Sequence, residues 1–417
     1  MAIELSEYSI KAVVAEYYNM KPYILASSEK KIDINFDNDD QHDLKKVIFE
    51  LKDEITSLLG YEIKNTILVI PSNHCKKFSD KVRVEAIRED QVIQKDEIAT
   101  GIEQMIRKND NEKNFVVNVV IDRYSAYGYG YVSNPVGLET RYIELEGSVY
   151  TIPTVIAYPL IKIIEECGFN VVDVCLDILA IASESVMPSA LKSGAIIVDM
   201  NSTSTNIAYF KNNTMKSYKS IELGGKNITN DIALVAKIDN NKAEAFKKKY
   251  VDLNIDRIQD LVIYRYYDEY SNEDVEITQK FLSEVALSRQ KEIIDLVKTE
   301  IIDLQLSEED LFYFTGGANK INGLEHVLRY ELNFPYNIIS SKVLGARSSS
   351  FIKCLGAIIY EANFSRVRGE IKLFVNKKDY INSINLVEKN NLLYNNNNNS
   401  NVEQDFIKRL VSYIFNN

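Results

Sequence analysis

One pattern occurs twice in this chain and limits what it can fold into. Residues 194–225 read GAIIVDMNSTSTNIAYFKNNTMKSYKSIELGG: an apolar strand ends on a single acid, Asp199, and the small polar residues Asn201, Ser202, Thr203, Ser204 and Thr205 follow. A second apolar run covers 207–210, Lys211-Asn212-Asn213 reads as a tight turn, and a third strand leads to Gly224-Gly225. The turn reading rests on asparagine, which tolerates the left-handed backbone such turns need. Residues 3–26 repeat the layout: a strand ending at Glu4, the short loop Leu5-Ser6-Glu7, a second strand, a turn at Tyr17-Tyr18-Asn19 and a third strand over 23–26. The two acids lie about 195 residues apart, one opening each half of the chain. That period is too long for a solenoid. It predicts a duplicated, two-lobed α/β protein with a ligand between acid-bearing loops.

An acid at a strand end beside a loop of small residues suits a phosphate–metal unit, with backbone N–H groups facing the anion and the carboxylate facing Mg²⁺. An ordinary meander with a polar turn has the same pattern, and this stretch alone leaves both open. Composition narrows the field. The chain has 417 residues, enough for two or more domains with their own cores. A net charge of −11 argues against a nucleic-acid partner, which needs clustered Lys and Arg. The four cysteines (Cys75, Cys167, Cys175, Cys354) and three histidines (His42, His74, His326) are scattered, with no spacing for a zinc site or a histidine-based triad. A reduced, cytosolic protein is expected, neither exported nor membrane-spanning, since no apolar run approaches about 18 residues.

Between the repeated units the periodicity predicts helices at 44–58 and 97–108, with Gly60 capping the first, and strands at 66–70, 82–87 and 115–121. A helix followed by a fully apolar strand signals a covered α/β sheet. Residues 81–152 read as a small α+β insertion. Its Tyr124, Tyr127, Tyr129 and Tyr131 suit sheet tyrosines better than a partner-binding surface, although both fit. A helix with Pro159 near its start and Gly168 past its end follows, then a strand at 171–175 and a helix at 178–186. Later come helices starting at 227 and spanning 242–250, 282–304 and 352–361, and a strand at 312–314 running into Thr315-Gly316-Gly317-Ala318. Residues 252–272 give little periodicity. After about residue 369 the chain becomes polar and asparagine-rich to 401, a composition with nothing to bury. Residues 402–417 then return to helical spacing, with Phe406, Ile407, Leu410, Val411, Ile414 and Phe415 apolar and Lys408 and Arg409 between them. This is an amphipathic helix of about four turns, roughly 20 Å long. A membrane surface or a partner groove suits it better than docking on its own globule.

The residues 69–74 (VIPSNH), 134–137 (NPVG), 176–180 (LDILA), 197–199 (IVD), 223–225 (LGG) with 228–233 (ITNDIA), Ala243-Glu244 with Lys247, 315–317 (TGG) with Gly323-Leu324, and the terminal helix resemble, in order and spacing, the actin-like cell-division protein family FtsA. The resemblance covers nearly the whole chain. It implies an actin-type, ribonuclease H-like duplicated α/β fold carrying the family's 1C subdomain as its insertion. The implied lobes are 1–80 with 153–194, and 195–226 with 306–368. The implied insertion is 81–152, the outer subdomain 227–305, the linker 369–401 and the membrane-targeting helix 402–417. The resemblance further implies an ATP–Mg²⁺ site of Glu4, Ser6, Glu7, Asp199, Asn201, Ser202, Thr203, Gly224, Gly225, Glu244, Lys247, Gly316, Gly317 and Ala318, with Asp199 and Glu4 toward the metal. It implies self-polymerisation, capture of the FtsZ C-terminal peptide by the second lobe, and membrane lipids as the target of the terminal helix.

The phosphate loops depart from the family. Its Asp-x-Gly-Thr is here Glu4-Leu5-Ser6-Glu7, and its Asp-x-Gly-Gly-Gly-Thr-Thr-Asp is here Asp199 to Asn206 without a glycine. Close approach of backbone to phosphate loses its usual residue, and Glu7 adds an anion beside the γ-phosphate. Weakened ATP binding with little or no hydrolysis is the expectation. A sugar-kinase-like enzyme would need intact phosphate loops and a placed base. A PilM-type pilus-assembly actin homologue is the closer alternative, and the insertion and terminal helix favour the division protein over it.

Overall fold

The computed structural model describes residues 1–6, 9–19, 21–32, 40–268, 272–339, 343 and 349–368. Glu7, the linker 369–401 and the terminal helix with Phe406, Ile407, Lys408, Arg409, Leu410, Val411, Ile414 and Phe415 lie outside the described residues.

The chain divides into two compact units, the first built on Met1–Val186 and the second on Met187–Ser340. In the first, β1 (Ala2–Leu5), β2 (Ser9–Tyr18) and β3 (Lys21–Lys31) form the expected meander, and α1 (Asp40–Leu59) leads to β4 (Asn65–Ile70). In α1, Ile48, Leu51 and Ile55 are buried while Leu58 is exposed. Gly60 ends that helix at φ +76°, donating to the Thr56 carbonyl at 2.8 Å. Then comes the insertion: β5 (Lys76–Glu85), α2 (Lys95–Asn109), β6 (Asn114–Ala126), β7 (Gly130–Val132) and β8 (Tyr142–Pro153). The unit resumes with α3 (Thr154–Glu166), β9 (Asn170–Leu176) and α4 (Asp177–Ser185). Pro159 stands inside α3 rather than near its start. The ring deletes the bond to the carbonyl of Val155, a residue open to water, so the helix continues past it.

The second unit opens with α5 (Pro188–Ser193) and repeats the meander as β10 (Ala195–Met200), β11 (Thr205–Lys211) and β12 (Thr214–Ile221). Asn212 and Asn213 take φ values of 56° and 61°, the left-handed pair a two-residue hairpin requires. There follow α6 (Gly225–Ala236), α7 (Asn240–Tyr250), β13 (Val262–Asp268), β14 (Glu273–Thr278), α8 (Gln279–Ile301), β15 (Leu311–Thr315), α9 (Leu324–Glu331) and β16 (Tyr336–Ile338). The weakly periodic stretch near 262 is a hairpin arm. Its Tyr264 and Tyr266 stack along one face with centroids 6.0 Å apart, and Lys242 lies over Tyr264. The last helix, α10 (Ile352–Arg368), packs on α4 and belongs by its contacts to the first unit.

The duplication predicted from sequence is exact in topology. One sheet runs β3-β2-β1-β4-β9 and the other β12-β11-β10-β15-β16. In each, the first strand is antiparallel to the second (Ile3 opposite Ala12, Ile197 opposite Ala208) and parallel to the fourth (Ile3 beside Leu68, Ile197 beside Tyr313). All six residues of β10 are buried, as expected of a strand covered on both faces. Phe312 and Phe314 of β15 are wholly buried and each stabilises the second unit by about 1.5–3 kcal/mol. The insertion has its own four-stranded sheet, β5-β8-β6-β7, covered by α2 through Ile98, Ile102 and Met105. This is the predicted α+β element.

Candidate functional site

Parallel strands gather their C-terminal ends on one edge of a sheet, where α/β proteins place ligands. In the second unit that edge carries Asp199, near the end of β10, and Thr315-Gly316-Gly317, leaving β15. Asp199 is 1% exposed, and its Oδ2 accepts from Asn201 Nδ2 at 2.8 Å. Ser202 and Thr203 form the bend between β10 and β11. Gly316 cannot be replaced without moving the backbone: its φ is +97°, and a Cβ there would lie 2.2 Å from the Met200 carbonyl oxygen and 2.8 Å from Asp199 Oδ1. Gly317 faces open space.

The start of α6 closes on the same loop. Gly225 N–H donates to Asn201 O at 3.0 Å and Lys226 N–H to Ser202 O at 2.7 Å, so a Cβ on Gly224 would strike the Asn201 and Ser202 carbonyl oxygens at 2.5 Å. A Cβ on Gly225 would meet Ala318 Cβ at 3.3 Å and Lys247 Nζ at 3.6 Å. Lys247 reaches from α7 beneath this turn, donating to Gly225 O and Thr229 Oγ1 at 2.7 Å each and pairing with Glu244 at 2.6 Å. Burial pushes the Glu244 carboxyl up, but hydrogen bonds from Lys247 and Thr229 and the Lys247 charge outweigh it and hold the pKa down at about 2. Burial lowers the Lys247 ammonium against the pull of Glu244. Thus Gly224, Gly225, Glu244, Lys247, Gly316, Gly317 and Ala318 come together with Asp199 and Asn201 in one unit.

The first unit places Glu4 at the equivalent edge. Glu4 sits opposite Lys11 in the β1–β2 pairing, and its Oε2 lies 3.4 Å from the Lys11 ammonium. Its Oε1 lies 3.8 Å from Lys353 Nζ, and Lys353 also meets Asp177 Oδ2 at 3.1 Å. Asp177 opens α4 and accepts at Oδ1 from the backbone and hydroxyl of Ser72, at 3.0 and 2.5 Å. Ser6 turns inward: its N–H and its hydroxyl both donate to Ser9 O, at 3.0 and 2.7 Å. Both donors of Ser6 are therefore taken up locally. Sequence reasoning assigned no role to Lys11, Ser72, Asp177, Thr229 or Lys353. The register of a tight meander could have paired Lys11 with Glu4, whereas nothing local marks Lys353, 176 positions from Asp177.

These residues fit an ATP–Mg²⁺ unit unevenly. The glycine-lined turn of the second unit, with open space at Gly317, fits a flat ring or sugar at close quarters. The first unit fits a metal poorly, because Glu4 already faces ammonium groups from two elements. Among the described residues, no three His, Cys, Asp or Glu side chains gather as a metal-ligand set.

Two sheets of identical strand order, each presenting an acid near the end of its first strand, make an actin-like fold. Among solved structures the chain is similar to the PilM-PilN type IV pilus biogenesis complex (TM-score 0.52, 15% identity, 85% of this chain and 96% of that one). It is also similar to MreB5 of Spiroplasma citri bound to ADP (TM-score 0.50, 13% identity, 88% of this chain and 98% of that one). At such identities the fold is what is shared. Within this class of fold the chain is similar to FtsA cell-division proteins. The family model described as Cell division protein FtsA matches residues 196–356. FtsA of Bacillus subtilis (strain 168) is 23% identical over 329 residues, 79% of this chain and 74% of the relative. FtsA of Staphylococcus epidermidis (strain RP62A) is 25% identical over 362 residues, 86% and 78%. FtsA of Enterococcus hirae is 20% identical over 400 residues, 95% and 90%.

Proposed function

We propose that this chain is an actin-like cell-division adaptor that polymerises at the cytoplasmic face of the membrane and ties FtsZ filaments to it at the division site. The observation that carries this reading is similarity to FtsA proteins along most of the chain, joined to a duplicated fold with an independent inserted sheet. The second unit would receive the FtsZ C-terminal peptide. Its glycine-lined turn would hold a nucleotide, through Gly224, Gly225, Glu244, Lys247, Gly316, Gly317 and Ala318. A loop without glycine at Asp199 to Asn206, and the Ser6 donors already spent on Ser9, support weak ATP binding and slow or absent turnover. The PilM-like alternative shares the fold, and the curated relatives are division proteins.

Attachment would fall to residues 402–417. No described helix is long and apolar enough to cross a membrane. One amphipathic helix in which Glu403 and Asp405 offset Lys408 and Arg409 binds a bilayer weakly, through its apolar face. Polymerising the body multiplies such anchors into avid attachment without a new contact. Flotation with anionic vesicles tests this: the full chain should float and a chain ending at residue 401 should stay in the soluble fraction. A truncated chain that floats as well contradicts the tether.

A further inference from the structure

Glu4 and Asp177 are both 6% exposed, and two ammonium groups, Lys11 and Lys353, stand against them. Lys11 is the cross-strand neighbour of Glu4. Lys353 is different, because it arrives from the far end of the chain and bridges the two acids, at 3.8 Å from Glu4 and 3.1 Å from Asp177. It is the second residue of α10, where the helix dipole favours an anion and opposes a cation. A half-buried lysine there is held by the carboxylates it faces.

The backbone aims it. Gly356, one turn on, presses α10 against α4 so closely that a Cβ would sit 2.0 Å from the Ala180 carbonyl oxygen. Asp177, at the start of α4, is fixed by Ser72, whose hydroxyl also accepts from Ile178 N–H at 3.3 Å. The crossing of α10 on α4 thus sets the Lys353 ammonium between two acids on the ligand edge of the sheet.

We propose that Lys353 is the resident counter-ion of the first unit: its ammonium bridges Glu4 and Asp177 as a divalent cation would, so this unit takes no metal. The inference goes beyond the nucleotide reading and does not depend on it. Two near-buried carboxylates without a cation are strongly destabilising. Removing the ammonium while keeping both acids should therefore cost stability and open a site for a divalent ion.

The test uses the full chain without nucleotide. Thermal unfolding is followed in EDTA and in Mn²⁺, and bound Mn²⁺ is counted by electron paramagnetic resonance. The wild type should melt at the same temperature in both and hold no saturable Mn²⁺. Lys353→Met should melt at least roughly 3 °C lower in EDTA, recover in Mn²⁺, and bind one ion. The double variant Lys353→Met with Glu4→Gln, which removes one acid with the ammonium, should lose the response to Mn²⁺. A wild-type chain that binds Mn²⁺ through Glu4, shown by loss of the ion in Glu4→Gln, overturns the proposal. So does a folded Lys353→Met with no response to the ion. If Lys353→Met fails to fold in either condition, wild type against Glu4→Gln still decides. Because ATP is absent from every arm, failure to bind nucleotide would leave these outcomes unchanged.

Discussion

Glu4 and Asp199 hold the same place in the two repeated units, and their neighbours decide what each can do. Across the strand pair, Glu4 faces Lys11 whereas Asp199 faces Asn206. One acid is met by an ammonium group, and the other accepts from the Asn201 amide. The acids and the small-residue loops were legible in the sequence because they belong to a local, repeated pattern. The self-bonding of Ser6 and the approach of Lys353 were not, since they depend on loop geometry and on a helix from the other end of the chain. Glu244 gives the residue-scale prediction. Its carboxyl ionises at about 2 in the fold against an ordinary 4.5, so its stabilising effect is complete above 4.5 and lost as pH falls from there toward 2. Melting temperature against pH should fall over that window in the wild type and fall less steeply in Glu244→Gln. Parallel curves would contradict the ion-pair account.

Among the elements, strands and helices with strong periodicity were readable and their addresses were not. Burial of alternate turns made the helix after Ile352 evident, yet its partner α4 follows from Gly356 and Ala180, a backbone contact no hydrophobic pattern encodes. Residues 252–272 were obscure for another reason, since their second half enters a hairpin. Their hairpin is stabilised by aromatic stacking and by Lys242 over Tyr264, so polar and apolar residues share a face. The α10–α4 crossing yields a prediction of its own. Gly356→Val forces side-chain atoms into the Ala180 backbone and should destabilise by about 1–3 kcal/mol or more, read by chemical denaturation. It should also shift Lys353 from its acids. An unchanged denaturation midpoint would show that the helices do not cross at that glycine.

For the whole molecule, duplication is the organising fact: two sheets of one order, two acids on equivalent edges, a four-stranded insertion in the first unit and a two-stranded hairpin in the second. Fold class was legible in the repeat, because strand–acid–loop units so far apart in the chain have few other solutions. Which partners the surfaces select is not written in the repeat, and similarity to FtsA proteins bears on that instead. The central claim is that the chain links FtsZ filaments to a bilayer. The measurement that tests it most directly is recruitment of fluorescent FtsZ filaments to anionic vesicles by the full chain and by a chain ending at residue 401. The account predicts FtsZ on the vesicles with the full chain, and FtsZ bound to protein in solution with the shortened one. Vesicles that stay bare of FtsZ while coated with the full chain would contradict it.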